Sequence, residues 1–78
     1  MPATKAFILI ETEVGRTNEV TADLRQVEGV KSVDSVTGPY DLIAVIEEQG
    51  LTNLGELIST RILTTPNISR VVTCLSLV

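Results

Sequence analysis

The chain has 78 residues, 44% of them apolar, with only Phe7 and Tyr40 aromatic and a formal charge of −4. That length holds one small domain, residues 1–78, whose core must be aliphatic. The lone Cys74 rules out an intrachain disulfide, the absence of histidine removes a Cys/His zinc site and the commonest general base, and no Lys/Arg cluster exists to neutralise phosphates.

Cys74 stands in an apolar run and reads as a small buried hydrophobe. No unbroken apolar run is longer than residues 6–10, far short of a bilayer span, and nothing at the front resembles a secretory signal. These features lead us to expect a cytoplasmic protein with no membrane contact, no direct nucleic-acid contact, no metal and no cofactor.

Residues 5–13 open with Ala6-Phe7-Ile8-Leu9-Ile10, apolar at adjacent as well as alternate positions, the pattern of a strand covered on both faces. Over residues 16–28 the period changes. Val20, Leu24 and Val27 stand at i, i+4 and i+7 among Glu19, Asp23, Arg25 and Glu28, which predicts an amphipathic helix stopped by Gly29. Residues 30–36 are less apolar and suit an edge strand, where charges discourage stray pairing. Thr37-Gly38-Pro39-Tyr40-Asp41 then reads as a hairpin turn leading into Leu42-Ile43-Ala44-Val45-Ile46, apolar on both faces and predicted central.

A second helix is expected over residues 53–63, capped by Thr52 or Asn53, with Glu56 completing a capping box. Leu54, Leu57, Ile58 and Ile62 form its apolar stripe. Gly55 inside it costs about 1 kcal/mol relative to alanine, which a close helix–sheet approach would explain. Thr64-Thr65-Pro66-Asn67 ends the helix, and residues 68–78 form the last strand.

The order β-α-β-β-α-β is that of the ferredoxin-like split β-α-β fold, an α+β class. Right-handed crossovers put both helices on one face of a four-stranded antiparallel sheet. Alternation puts Phe7 and Leu9 on one side and Ala6, Ile8 and Ile10 on the other, and likewise sets Leu42, Ala44 and Ile46 against Ile43 and Val45. Two helices on one face thus leave an aliphatic face uncovered. So large a bare aliphatic face on so small a chain marks an interface, and we expect a homodimer with its sheets packed face to face.

Chemistry for catalysis is sparse. The Cys-x-x-Cys turn of the heavy-metal-binding proteins of this fold is missing, and Thr12-Glu13-Val14-Gly15-Arg16 stands where the acylphosphatases keep a glycine-rich anion loop. Glu11/Glu13 and Glu47/Glu48 read as solvated strand ends. The chain is not expected to be an enzyme.

Val36-Thr37-Gly38-Pro39-Tyr40-Asp41-Leu42-Ile43-Ala44-Val45 resembles the ligand-binding (RAM) domain of the Lrp/AsnC family of transcriptional regulators, with its Gly-x-Tyr-Asp turn between the second and third strands. Ala6-Phe7-Ile8-Leu9-Ile10, Glu28-Gly29-Val30 and Leu54-Gly55-Glu56-Leu57-Ile58 match in order and spacing, so the resemblance covers essentially the whole chain. Typical members carry an N-terminal helix-turn-helix, for which the residues before Phe7 leave no room. The chain therefore resembles the stand-alone versions of the domain.

The resemblance implies sheet-packed dimers that associate into rings, or assemble with full-length Lrp/AsnC regulators. It also implies an amino-acid effector bound between dimers near the turn and the last strand. Its candidate ligand-binding residues are Gly38, Tyr40, Asp41 and Thr73. Backbone N–H groups beside Gly38 suit a carboxylate and Asp41 suits an ammonium. The family's Thr-x-Thr pattern falls on Val71 and Thr73, and only Thr73 matches. Each residue also has a plainer role: Gly38 and Asp41 in the turn, Tyr40 as an interface anchor, Thr73 as a strand former. Two other functions remain open at this point, a small dimeric α+β-barrel enzyme and a purely structural assembly module.

Overall fold

The computed structural model describes residues 3–77. Its elements follow the chain as β1 (Thr4–Thr12), α1 (Thr17–Arg25), β2 (Val30–Ser35), β3 (Leu42–Glu48), α2 (Leu51–Leu57) and β4 (Ile68–Leu75). The four strands form one antiparallel sheet in the order β2-β3-β1-β4. The two strands that are apolar on both faces are thus central, and the charged β2 lies at an edge.

Alternation along the strands sorts the core. Ala6, Ile8 and Ile10 pair with Ile46, Ala44 and Leu42, and all six are fully buried. Val20 and Leu24 of α1, with Leu54 and Leu57 of α2, complete that layer. The helix–sheet space is therefore filled with aliphatic side chains. On the other side of the sheet, Phe7 pairs with Val45 and Leu9 with Ile43, and these four are only half-buried. No helix covers them: Lys5 rests over the Phe7 ring, 5.3 Å from its centroid, as a long cationic side chain does along exposed apolar surface.

The helices depart from expectation at their ends. α1 is shorter than residues 16–28, because its closing turn gives way to Gly29 at φ +100°, a backbone state that glycine alone adopts freely. A Cβ on Gly29 would lie 2.9 Å from Leu57 Cδ2 and 2.8 Å from Glu48 Oε2, so those two side-chain ends would have to shift to admit it. α2 starts earlier than residue 53. Gly50 holds the N-cap position without a side-chain bond, and Asn53 Nδ2 donates instead to the Gln49 carbonyl at 2.7 Å, so neither the Thr52/Asn53 cap nor the capping box forms.

After Leu57 the helix widens into a π turn, Ile58–Ile62, in which Leu63 N–H donates to the Ile58 carbonyl at 2.8 Å. Leu57 and Ile62 are both buried while Ile58 is half-buried. Thr60, Thr64 and Thr65 each turn a hydroxyl back to a carbonyl four residues earlier, which competes with regular helical bonding at this end.

Two further expectations are corrected. Gly55 is exposed and a Cβ there would meet nothing within 4 Å, so no close helix–sheet approach accounts for it. Cys74 is exposed rather than buried, because it pairs with Phe7 on the edge strand and shares the uncovered face. The last strand ends at Leu75, and Val78 lies outside the described residues.

Candidate functional site

The turn between β2 and β3 is clasped to the end of β1. Asp41 N–H donates to the Ile10 carbonyl at 2.9 Å, and Val36 N–H donates to the Asp41 carbonyl at 3.0 Å. The Asp41 carboxylate then reaches along the same strand end. Its Oδ2 accepts from Thr12 N–H at 2.8 Å and from Thr12 Oγ1 at 3.2 Å. The Thr12 hydroxyl has only one proton and spends it on Asp41. The Thr17 hydroxyl, 2.8 Å away, is therefore the donor to Thr12 Oγ1. Thr12 is 8% exposed, the one buried polar residue among those described, and the Asp41–Thr12–Thr17 chain satisfies it.

This chain has a local cause. Gly15, at φ +78°, turns β1 into α1 within three residues of Thr12, which brings Thr17 at the first position of the helix back over the strand end. Sequence reading missed Thr12 and Thr17 altogether. The available signal was weak: a threonine at the end of a strand, with a second five residues on across a glycine turn.

Gly38 stands at φ +131° in open space, with no atom within 4 Å of where a Cβ would be. Among the described residues the N–H groups of Thr37, Gly38 and Tyr40 make no hydrogen bond, so the turn offers free donors. Tyr40 is half-buried, and the Arg70 guanidinium lies 5.7 Å from its ring centroid. Beside the turn runs an open groove of about 540 Å³ lined by Glu11, Thr12, Glu13, Val14, Gly15, Thr17, Asp41 and Ser69. Its charged groups are all carboxylates, so it favours a cation.

The four sequence candidates are not all brought together within one chain. Gly38, Tyr40 and Asp41 share the turn. Thr73 pairs with Ile8, which pairs with Ala44, so it stands level with a residue three beyond Asp41 on β3 (44 − 41). At about 3.4 Å per residue and two strand spacings across, the backbones are separated by roughly 10 Å in each direction. Thr73 also lies on the helix side of the sheet, on the edge strand β4, and is exposed. Val71 shares that side and is half-buried.

A ferredoxin-like sheet with one apolar face open and a clasped, donor-rich turn at its rim defines a small α+β domain. Residues 5–78 match the Lrp/AsnC ligand binding domain, and the chain belongs to that family. A small protein of Pyrococcus horikoshii, the hypothetical protein PHS023, is 33% identical with a TM-score of 0.90, over 96% of this chain and 90% of that one. Two longer regulators share the fold. Escherichia coli AsnC is 20% identical with a TM-score of 0.90, and the chain covers 51% of it. The Neisseria meningitidis transcriptional regulator NMB0573, solved as a complex with L-Met, is 17% identical with a TM-score of 0.85. There 96% of this chain aligns with 50% of that protein. No curated protein matches. No helix among the described residues is long and apolar enough to cross a membrane, and none of their acidic or cysteine side chains cluster as a metal site.

Proposed function

We propose that the chain is an amino-acid effector-binding and oligomerisation module. It acts on transcription by assembling with itself, and with full-length Lrp/AsnC regulators, in the cytoplasm. The observation that carries this reading is the aliphatic sheet face of Phe7, Leu9, Ile43 and Val45, which the helices leave uncovered. A second copy packed on that face removes it from water, and the clasped turn then stands at the rim of the dimer, where a neighbouring dimer reaches it.

The effector sits at that joint. Turn N–H groups around Gly38 hold its carboxylate, and Asp41 Oδ1, which accepts no hydrogen bond among the described residues, meets its ammonium. Tyr40 packs against the effector from the turn. Thr73, too far from Asp41 to share a ligand within one chain, enters from a neighbouring copy. The L-Met complex of the Neisseria relative supports a free amino acid as the ligand class. Ligand that binds one assembly state better shifts the population toward it.

Calorimetric titration with the twenty amino acids, alongside light scattering with and without the responder, tests the proposal. We expect one or a few amino acids to bind and to change the molar mass of the assembly. A stable monomer at micromolar concentration refutes the dimer. Silence toward every amino acid refutes the sensor and leaves a purely structural assembly module, the reading that Val71 in the Thr-x-Thr pattern favours.

A further inference from the structure

Arg70 is an unspent cation at the mouth of the turn. It lies on β4 opposite Glu11, where a cross-strand ion pair would be expected. None forms. Among the described residues the one ion pair is Arg16 with Glu19, and the Arg70 guanidinium makes no hydrogen bond. Glu11 Oε1 is instead 3.5 Å from the Ser69 hydroxyl. The Arg70 guanidinium lies 5.7 Å from the ring centroid of Tyr40, in the turn whose Thr37, Gly38 and Tyr40 N–H groups make no hydrogen bond among the described residues. Glu11 and Glu13 line the groove beside Asp41, and Arg70 stands on the neighbouring strand directly opposite Glu11, so charges of both signs meet at this strand end.

We infer that Arg70 is the specificity-determining residue that reads the carboxylate of the effector, with Asp41 and Glu11 facing the ammonium. The inference rests on the amino-acid-binding reading above and sharpens it. A guanidinium presents a planar fork that matches a carboxylate with two parallel bonds, whereas turn N–H groups alone offer single, weaker ones. Arg70 is held near its ring contact before ligand arrives, so little side-chain freedom is lost on binding. A compound with the ammonium but a neutral carboxamide in place of the carboxylate loses that contact.

The test compares the best-binding amino acid with its α-carboxamide by calorimetry on the whole chain. The wild-type protein should prefer the acid by about tenfold or more, the usual worth of a hydrogen bond to a charged group. Arg70→Gln should bring the two ligands to within about twofold. A variant that keeps the wild-type preference overturns the inference while leaving the amino-acid reading intact. If no amino acid binds the wild type, both fall.

A second measurement needs no variant. Tyr40 is the only tyrosine and there is no tryptophan, so intrinsic fluorescence reports on this ring alone. Tyr40 packs against either ligand, but only a carboxylate engages the guanidinium beside its ring, so the acid should change Tyr40 emission more than the amide does. Equal changes with both ligands overturn the inference even if Arg70→Gln does not fold.

Discussion

Replacing Asp41 by alanine measures how much the candidate site depends on its clasp. The mutation removes the acceptor of two hydrogen bonds, from Thr12 N–H at 2.8 Å and Thr12 Oγ1 at 3.2 Å. A bond to a charged acceptor contributes about 1.5–3 kcal/mol, and loss of one partner leaves the other desolvated. Thr12 is almost fully buried, so water does not readily replace the carboxylate, but Asp41 itself is half-buried. The lower part of that range, about 2 kcal/mol, is the expected loss. For a domain of this size that lowers Tm by about 8–16 °C. Asp41→Asn keeps a side-chain oxygen for Thr12 N–H and should cost less than about 1 kcal/mol. Urea unfolding at one fixed protein concentration is the assay, since association alters apparent stability. An Asp41→Ala protein within about 0.5 kcal/mol of wild type would falsify the clasp. The asparagine variant also separates roles, because it removes the charge offered to an ammonium while leaving the turn in place.

Three other outcomes follow from particular residues. Gly29→Ala should destabilise by about 2–3 kcal/mol in the same unfolding assay, since it combines a positive φ with contacts under 3 Å to Leu57 and Glu48; a neutral result refutes the close approach. Gly55→Ala should stabilise by about 0.5–1 kcal/mol, because the glycine is helical, exposed and free of neighbours; destabilisation would mean that something covers it in the assembly. Leu9→Glu, on the uncovered face, should raise the dimer dissociation constant by about 100-fold or more in sedimentation or light scattering, and leave the helix-side core untouched. A dimer as tight as wild type would place the interface elsewhere.

Legibility differed by element. Val20, Leu24 and Val27 are buried as their spacing required, and the strands that read as two-faced are the central ones. Helix ends were less readable. Thr52, Asn53 and Glu56 have capping chemistry at the right spacing, yet the chain enters α2 through Gly50 and leaves them outside that role. Cys74 shows the limit of composition. Its apolar neighbours suggest burial, but an edge strand on an uncovered face exposes it.

The sequence by itself determined the β-α-β-β-α-β order, the division of each central strand into two apolar faces and the family resemblance. The first two follow from periodicity, since neighbouring residues on a strand must point to opposite sides. The resemblance rests on the Gly38-Pro39-Tyr40-Asp41 turn and the stretches around it. Tertiary structure alone decided how the turn is held and what surrounds it. The Asp41–Thr12 bonds join residues 29 apart in the chain (41 − 12), and Arg70 meets Tyr40 only because β4 lies beside β1. No local pattern encodes such pairings. Strand order and register create them, by fixing which strand ends meet at the rim of the sheet.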